Sequence, residues 1–171
     1  MNAALINFIY LLSLVCWIGS IIFFSFFLAP IVFKNLKPEK AGELVGIIFP
    51  YYYMVGYVCG TLIFVVLLSI GTAGLKWFAW SIMMVGTASA GLTVNPKAKT
   101  LKKRLKDSSK AEKPALEARF KVLHSLSVKL NGVVLLAGLW LLWLSASKPL
   151  LEMSTSRVLR VLKARTEIII Y

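Results

Sequence analysis

Residues able to carry chemistry are few in this sequence, and the most suggestive of them share one stretch. His124 is the only histidine. Ser127 and Asn131 follow it at i+3 and i+7, the spacing that lines one face of an α-helix. In an apolar helix such groups hydrogen-bond across a helix–helix contact or hold a ligand. A lone imidazole cannot form a bis-histidine haem site within one chain, so haem would need methionine or a partner's histidine. Met54, Met83 and Met84, with Cys16 and Cys59, offer soft donors. Their spacing shows no convergence, and packing accounts for them. Two isolated thiols make neither a disulfide framework nor a zinc site. There is no Walker A loop, GxGxxG, HExxH or CxxC, and no Ser or Cys has a base partner other than His124. The expectation is therefore no catalytic residue, no metal ligand set, no cofactor and no enzyme activity.

The elements that must position these residues follow from hydropathy. The 171 residues are 58% hydrophobic and 16% charged, with mean hydropathy +0.78. A soluble domain averages about 25% charged residues. This composition excludes a soluble enzyme, a disordered tail and a secreted disulfide scaffold. It predicts an all-α integral membrane bundle of four transmembrane helices, at about 5–33, 50–70, 75–94 and 122–147. Barrel strands would alternate in polarity over about ten residues, which this chain does not do. The first apolar run carries no Lys or Arg before Lys34, so it reads as a retained span rather than a cleaved signal. As a helix it would reach about 43 Å, beyond the roughly 30 Å hydrocarbon core. Pro30 then implies a kink or an early end.

Three further expectations rest on proline and aromatic residues. Residues 38–49 read as a separate short helix lying along the interface before the second span, broken from it by Pro50. Ala41, Leu44, Val45, Ile48 and Phe49 form its apolar face. Tyr51, Tyr52 and Tyr53 resemble an interfacial aromatic belt. Asn95-Pro96 marks the end of the third span.

Residues 97–121 hold ten basic and three acidic residues beside apolar spans. They read as a cytoplasmic loop touching anionic lipid headgroups, not as a nucleic-acid site, since no recognition motif accompanies the charge. Ser109 and Glu112 match a capping box. Residues 148–171 form a domain of their own, a basic amphipathic tail suited to a protein partner. Lys129 reads as a snorkelling residue. The two loops at 34–43 and 97–121 share one side with thirteen basic residues, against six on the other. The positive-inside rule places both termini on the non-cytoplasmic side of a plasma or bacterial inner membrane. Gly56-x-x-x-Gly60, Gly86-x-x-x-Ala90 and Thr87-x-x-x-Gly91 are small-residue pairs that let helices approach closely.

Several fragments together resemble a known family. They are Trp17-Ile18-Gly19, Phe23-Phe24-Ser25-Phe26, Ala29-Pro30-Ile31-Val32-Phe33, Ala41-Gly42, Phe49-Pro50-Tyr51-Tyr52, Asn95-Pro96, Phe120, Leu123-His124-Ser125-Leu126-Ser127 and Asn131. In order and spacing, over about residues 4–147, they resemble the transmembrane protein 205-like family, small four-helix membrane proteins of unknown function. The resemblance maps the family's polar positions onto Trp17, Asn95, His124, Ser127 and Asn131. It implies no agreed activity, although members are associated with resistance to metal-containing drugs, and it extends weakly to copper-resistance membrane proteins.

The functional expectation is a non-enzymatic packing or accessory subunit of a larger membrane assembly, with protein partners in the membrane. The alternative is soft-metal, copper-like handling or transport. A haem-bearing oxidoreductase subunit is a third class, which a pigment-free preparation would dispose of. Topology is directly testable with S108C and T155C in a protein lacking Cys16 and Cys59. An impermeant thiol reagent outside intact cells is expected to label T155C and spare S108C; the reverse pattern would invert the orientation.

Overall fold

A computed structural model of the chain describes residues 2–71, 74–109 and 111–147. Four helices in it are long and apolar enough to cross a membrane: α1 (Ala3–Asn35), α2 (Pro38–Ile70), α3 (Leu75–Leu105) and α4 (Lys113–Ser147). There is no strand among the described residues. Hydrocarbon gives backbone polar groups no partner, so a span must bond internally as a helix. The protein is thus an all-helical, multi-pass membrane protein, as hydropathy predicts. The tail expected at 148–171 lies outside the described residues.

Two expected breaks are absent. No separate interfacial helix precedes the second span: α2 runs unbroken from Pro38 to Ile70 through Pro50. The stripe of Ala41 and Val45 continues through Tyr53, Gly56, Cys59 and Ile63, all buried, so tertiary packing holds both halves in one line. Proline inside a span is tolerated where neighbouring helices support the backbone around it. The tyrosines accordingly form no belt. Tyr52 and Tyr53 join Phe24 and Phe49 in an aromatic cluster, with Phe24–Tyr52 centroids 4.9 Å apart, and only Tyr51 faces outward.

Nor does Asn95-Pro96 end the third helix, which continues over Asn95–Asp107. The reason is a change of register. Ser89–Val94 forms a π-helical stretch, and Asn95 N–H bonds the Ala90 carbonyl five residues back. The same device precedes Pro30: Phe23–Leu28 is π-helical, and Ala29 N–H reaches the Phe24 carbonyl. Proline has no N–H to give and its ring crowds the carbonyl four residues back. A wider turn just before it relieves that crowding without ending the helix. At about 1.5 Å per residue, α3 and α4 exceed the hydrocarbon thickness by roughly 15–20 Å. Their basic ends project together from the membrane as a helical pair.

The chain reverses between α2 and α3 through Gly71, whose φ of 60° is left-handed. Without a Cβ it closes the helix at little steric cost. Before α4 the Ser109 hydroxyl donates to the Glu112 carboxylate at 3.1 Å. This is a side-chain pair in place of the reciprocal backbone bonds of the expected capping box.

The core centres on Trp17, which is 1% exposed. A Cβ built on Gly56 would meet its indole nitrogen at 3.0 Å, and one on Gly60 would meet its ring at the same distance. The predicted Gly56/Gly60 pair is therefore the seat on which α1 rests against α2. Gly86 opens the same kind of space for Val134 of α4, and Ala90 is fully buried. Two polar pairs, one buried and one part-buried, add to this packing. The Tyr10 hydroxyl and Ser145 Oγ lie 2.8 Å apart, and Trp80 Nε1 donates to the Gly60 carbonyl at 2.9 Å. Gly60→Leu must displace Trp17 and Met84, and is expected to cost about 1–3 kcal/mol in reversible unfolding. Gly46→Leu, where nothing lies within 4 Å of the added carbon, is expected to change stability by well under that.

Candidate functional site

Ser127 and Asn131 are half-buried and His124 is exposed, and all three line one cleft of about 400 Å³. Two helices make its walls. On the α4 side the polar stripe is joined by Val128 and Gly132. On the α1 side stand Phe24, Ser25, Ala29, Pro30 and Phe33, and Val45 and Phe49 of α2 close the floor. The predicted stripe therefore does not enter the close-packed core around Trp17. It opens sideways, through a gap between the first and last spans.

The π stretch explains the gap. The α1 wall runs from Ile21 to Phe33 and includes the π-helical stretch Phe23–Leu28, where the helix register widens. Pro30 donates nothing, so the regular partner of the Ser25 or Phe26 carbonyl is missing. Ser25 lines the same cleft that His124, Ser127 and Asn131 line from the other wall. Above His124, the ring of Phe120 lies parallel to the imidazole, with centroids 6.5 Å apart. Behind the stripe, Tyr53 is 3% exposed and its hydroxyl lacks a hydrogen-bond partner among the described residues. It faces Ser127, near it but short of bonding geometry. Buried polar groups are nearly always satisfied, so an unsatisfied hydroxyl beside an open cleft marks a place for another polar group.

The other predicted positions serve the framework. Trp17, Gly56, Gly60, Gly86 and Ala90 hold the helices together away from the cleft, and half-buried Asn95 sits at the junction where α3 leaves its π register. The cleft is lined by no cysteine or methionine. Among the described residues no three His, Cys, Asp or Glu side chains come together as a metal site. Cys16 and Cys59 are both free, Cys16 exposed on α1 and Cys59 buried on α2. Sequence reasoning missed Ser25 as a cleft residue, the orphan Tyr53 hydroxyl and the Tyr10–Ser145 pair. The one available signal was Pro30 following Ser25 by five residues, the reach of a π turn.

Residues 12–107 match a family described as a domain of unknown function, DUF4149. The chain belongs to that family. No curated protein and no solved structure matches the chain. The DUF4149 region contains Trp17, Gly56, Gly60, Ser25 and Pro30, and so the α1 wall of the cleft. It ends before His124, so the facing α4 wall lies beyond it.

Two tyrosines separate the framework from the cleft. Tyr10→Phe removes a buried hydrogen bond, while Ser145 keeps its bond to the Leu141 carbonyl, and is expected to cost about 1 kcal/mol. Tyr53→Phe removes an unsatisfied hydroxyl and is expected to be neutral or stabilising in the purified protein. Unfolding of both variants in the same detergent checks the contrast.

Proposed function

We propose that this DUF4149 protein is a non-enzymatic accessory subunit, a packing element within a larger membrane assembly. The observation that carries this reading is the lateral cleft. Ser25, Ser127 and Asn131 face out through a gap between two spans, where lipid tails offer no hydrogen bonds. A transmembrane helix with a polar side chain matches that gap. It would bond the stripe and bring a group toward the Tyr53 hydroxyl. Each interhelical hydrogen bond contributes about 0.6 kcal/mol on average.

Several finer statements belong to the same reading. The chain is a transmembrane protein 205-like member, supported by the fragments that run on past the matched family region to His124, Ser127 and Asn131. It sits in a plasma or bacterial inner membrane with both termini outside, supported by the thirteen-to-six basic imbalance. Its partners are membrane proteins and lipids rather than nucleic acid, with the segment at 97–121 against anionic headgroups.

A second reading, handling of a soft metal ion, is favoured by one observation. Cys16 and Cys59 are free thiols, and Met84 sulfur packs at Gly60, one residue from Cys59. Metal analysis of the native purified protein separates the readings. Bound copper lost in C16A/C59A supports metal handling, and its absence removes that reading.

The subunit reading is tested by extracting the protein from its native membrane in mild detergent. Wild type is expected to co-purify with other membrane proteins. S127A/N131L is expected to lose about 1–2 kcal/mol of association, or roughly tenfold in recovered partner. Recovery of wild type as a free monomer, or unchanged partners in the variant, would defeat the reading.

A further inference from the structure

A second cleft lies outside the bundle proper, between the projecting ends of α3 and α4. It has a volume of about 720 Å³, within the range of small-molecule sites. Lys97, Leu101 and Arg104 of α3 face it at i, i+4 and i+7, so they form one stripe, basic, apolar, basic. Arg119, Val122 and Leu123 of α4 face it at i, i+3 and i+4. Three cations therefore surround an apolar floor, and among the described residues no acidic side chain lines the cleft.

The position along the chain sets the depth. Lys97 follows the apolar stretch of α3, and Arg119 precedes the apolar stretch of α4. The cleft thus lies where both helices pass from apolar to basic sequence, with Val122 and Leu123 at the start of the apolar stretch of α4. Arginine offers a planar fork of donors that matches phosphate oxygens two at a time. A basic pocket between helices at the cytoplasmic face is a recognised way to hold an anionic lipid.

We propose that this cleft binds one anionic phospholipid, with its phosphate between Arg104 and Arg119 and its acyl chains along Leu101, Val122 and Leu123. This goes beyond the loose attraction of the whole basic segment to a charged surface. It requires particular residues and an acyl-bearing ligand. It is also independent of the accessory-subunit reading, because the polar cleft of Asn131 plays no part in it. Free phosphate shares the headgroup chemistry but has nothing to place on the apolar floor.

The test uses the full-length protein in detergent, titrated with phosphatidylglycerol or phosphatidylcholine and observed by native mass spectrometry. Wild type is expected to bind one phosphatidylglycerol in clear preference to phosphatidylcholine. Each basic residue near a headgroup contributes roughly fivefold, so R104Q/R119Q is expected to weaken phosphatidylglycerol binding by about thirtyfold. K99Q/K103Q removes the same charge from α3 positions outside the cleft, and is expected to change it by less than about twofold. Helical content of both variants, read by circular dichroism, is expected to match wild type, since all four residues are exposed. Equal weakening by the two variants would reduce the effect to diffuse charge and overturn the site. Equal binding of phosphatidylcholine would overturn it too, as would displacement of the lipid by inorganic phosphate at comparable concentration.

Discussion

Every backbone N–H and C=O in hydrocarbon must find its partner inside the protein. In this chain that demand is sharpest at three prolines, each of which withdraws a donor from an otherwise apolar helix. At Pro50 the helix continues because packing on both sides keeps the two halves in line. At Pro30 and Pro96 it continues by widening into a π turn just before the proline. The three places that read locally as ends or breaks are thus absorbed, and each span runs its full length.

Those accommodations shape the surface as well. A π turn changes the direction in which successive side chains leave the helix, and it frees a carbonyl. Pro30 stands in the wall of the cleft that holds Ser127 and Asn131, and Pro96 stands in the wall of the basic cleft with Arg104 and Arg119. Each cleft is bordered by one proline–π junction. The membrane-depth cleft is mostly apolar with a hydrogen-bonding stripe, suited to a helix. The cleft between the ends of α3 and α4 is cationic over an apolar floor, the chemistry on which its proposed lipid occupant rests.

The close-packed part of the bundle serves a different end. Trp17 on Gly56 and Gly60, Val134 on Gly86, and the Tyr10–Ser145 pair tie all four helices at one end and through the middle. With that half fixed, the Pro30 half of α1 can stand apart from α4. An open polar gap is compatible with a stable fold only because the rest of α1 is held so closely.

The sequence by itself determined the number and nature of the elements. Long uncharged runs admit only helices in a membrane, and helical spacing puts His124, Ser127 and Asn131 on one face whatever lies opposite. Small-residue pairs at i and i+4 likewise marked Gly56/Gly60 and Gly86/Ala90 as contact faces, because the absence of a side chain is a local fact. Tertiary structure alone decided what met those faces. Whether Pro50 or Pro96 ends a helix depends on support from neighbouring helices, which no local pattern encodes. That Trp17 fills the glycine seat, that Tyr10 reaches Ser145 across 135 positions, and that Arg104 and Arg119 line one cleft are matters of how distant segments meet. The polar stripe opens into a cleft rather than a core because α1 changes register at Phe23–Leu28, and that change is set by the packing of the whole first span.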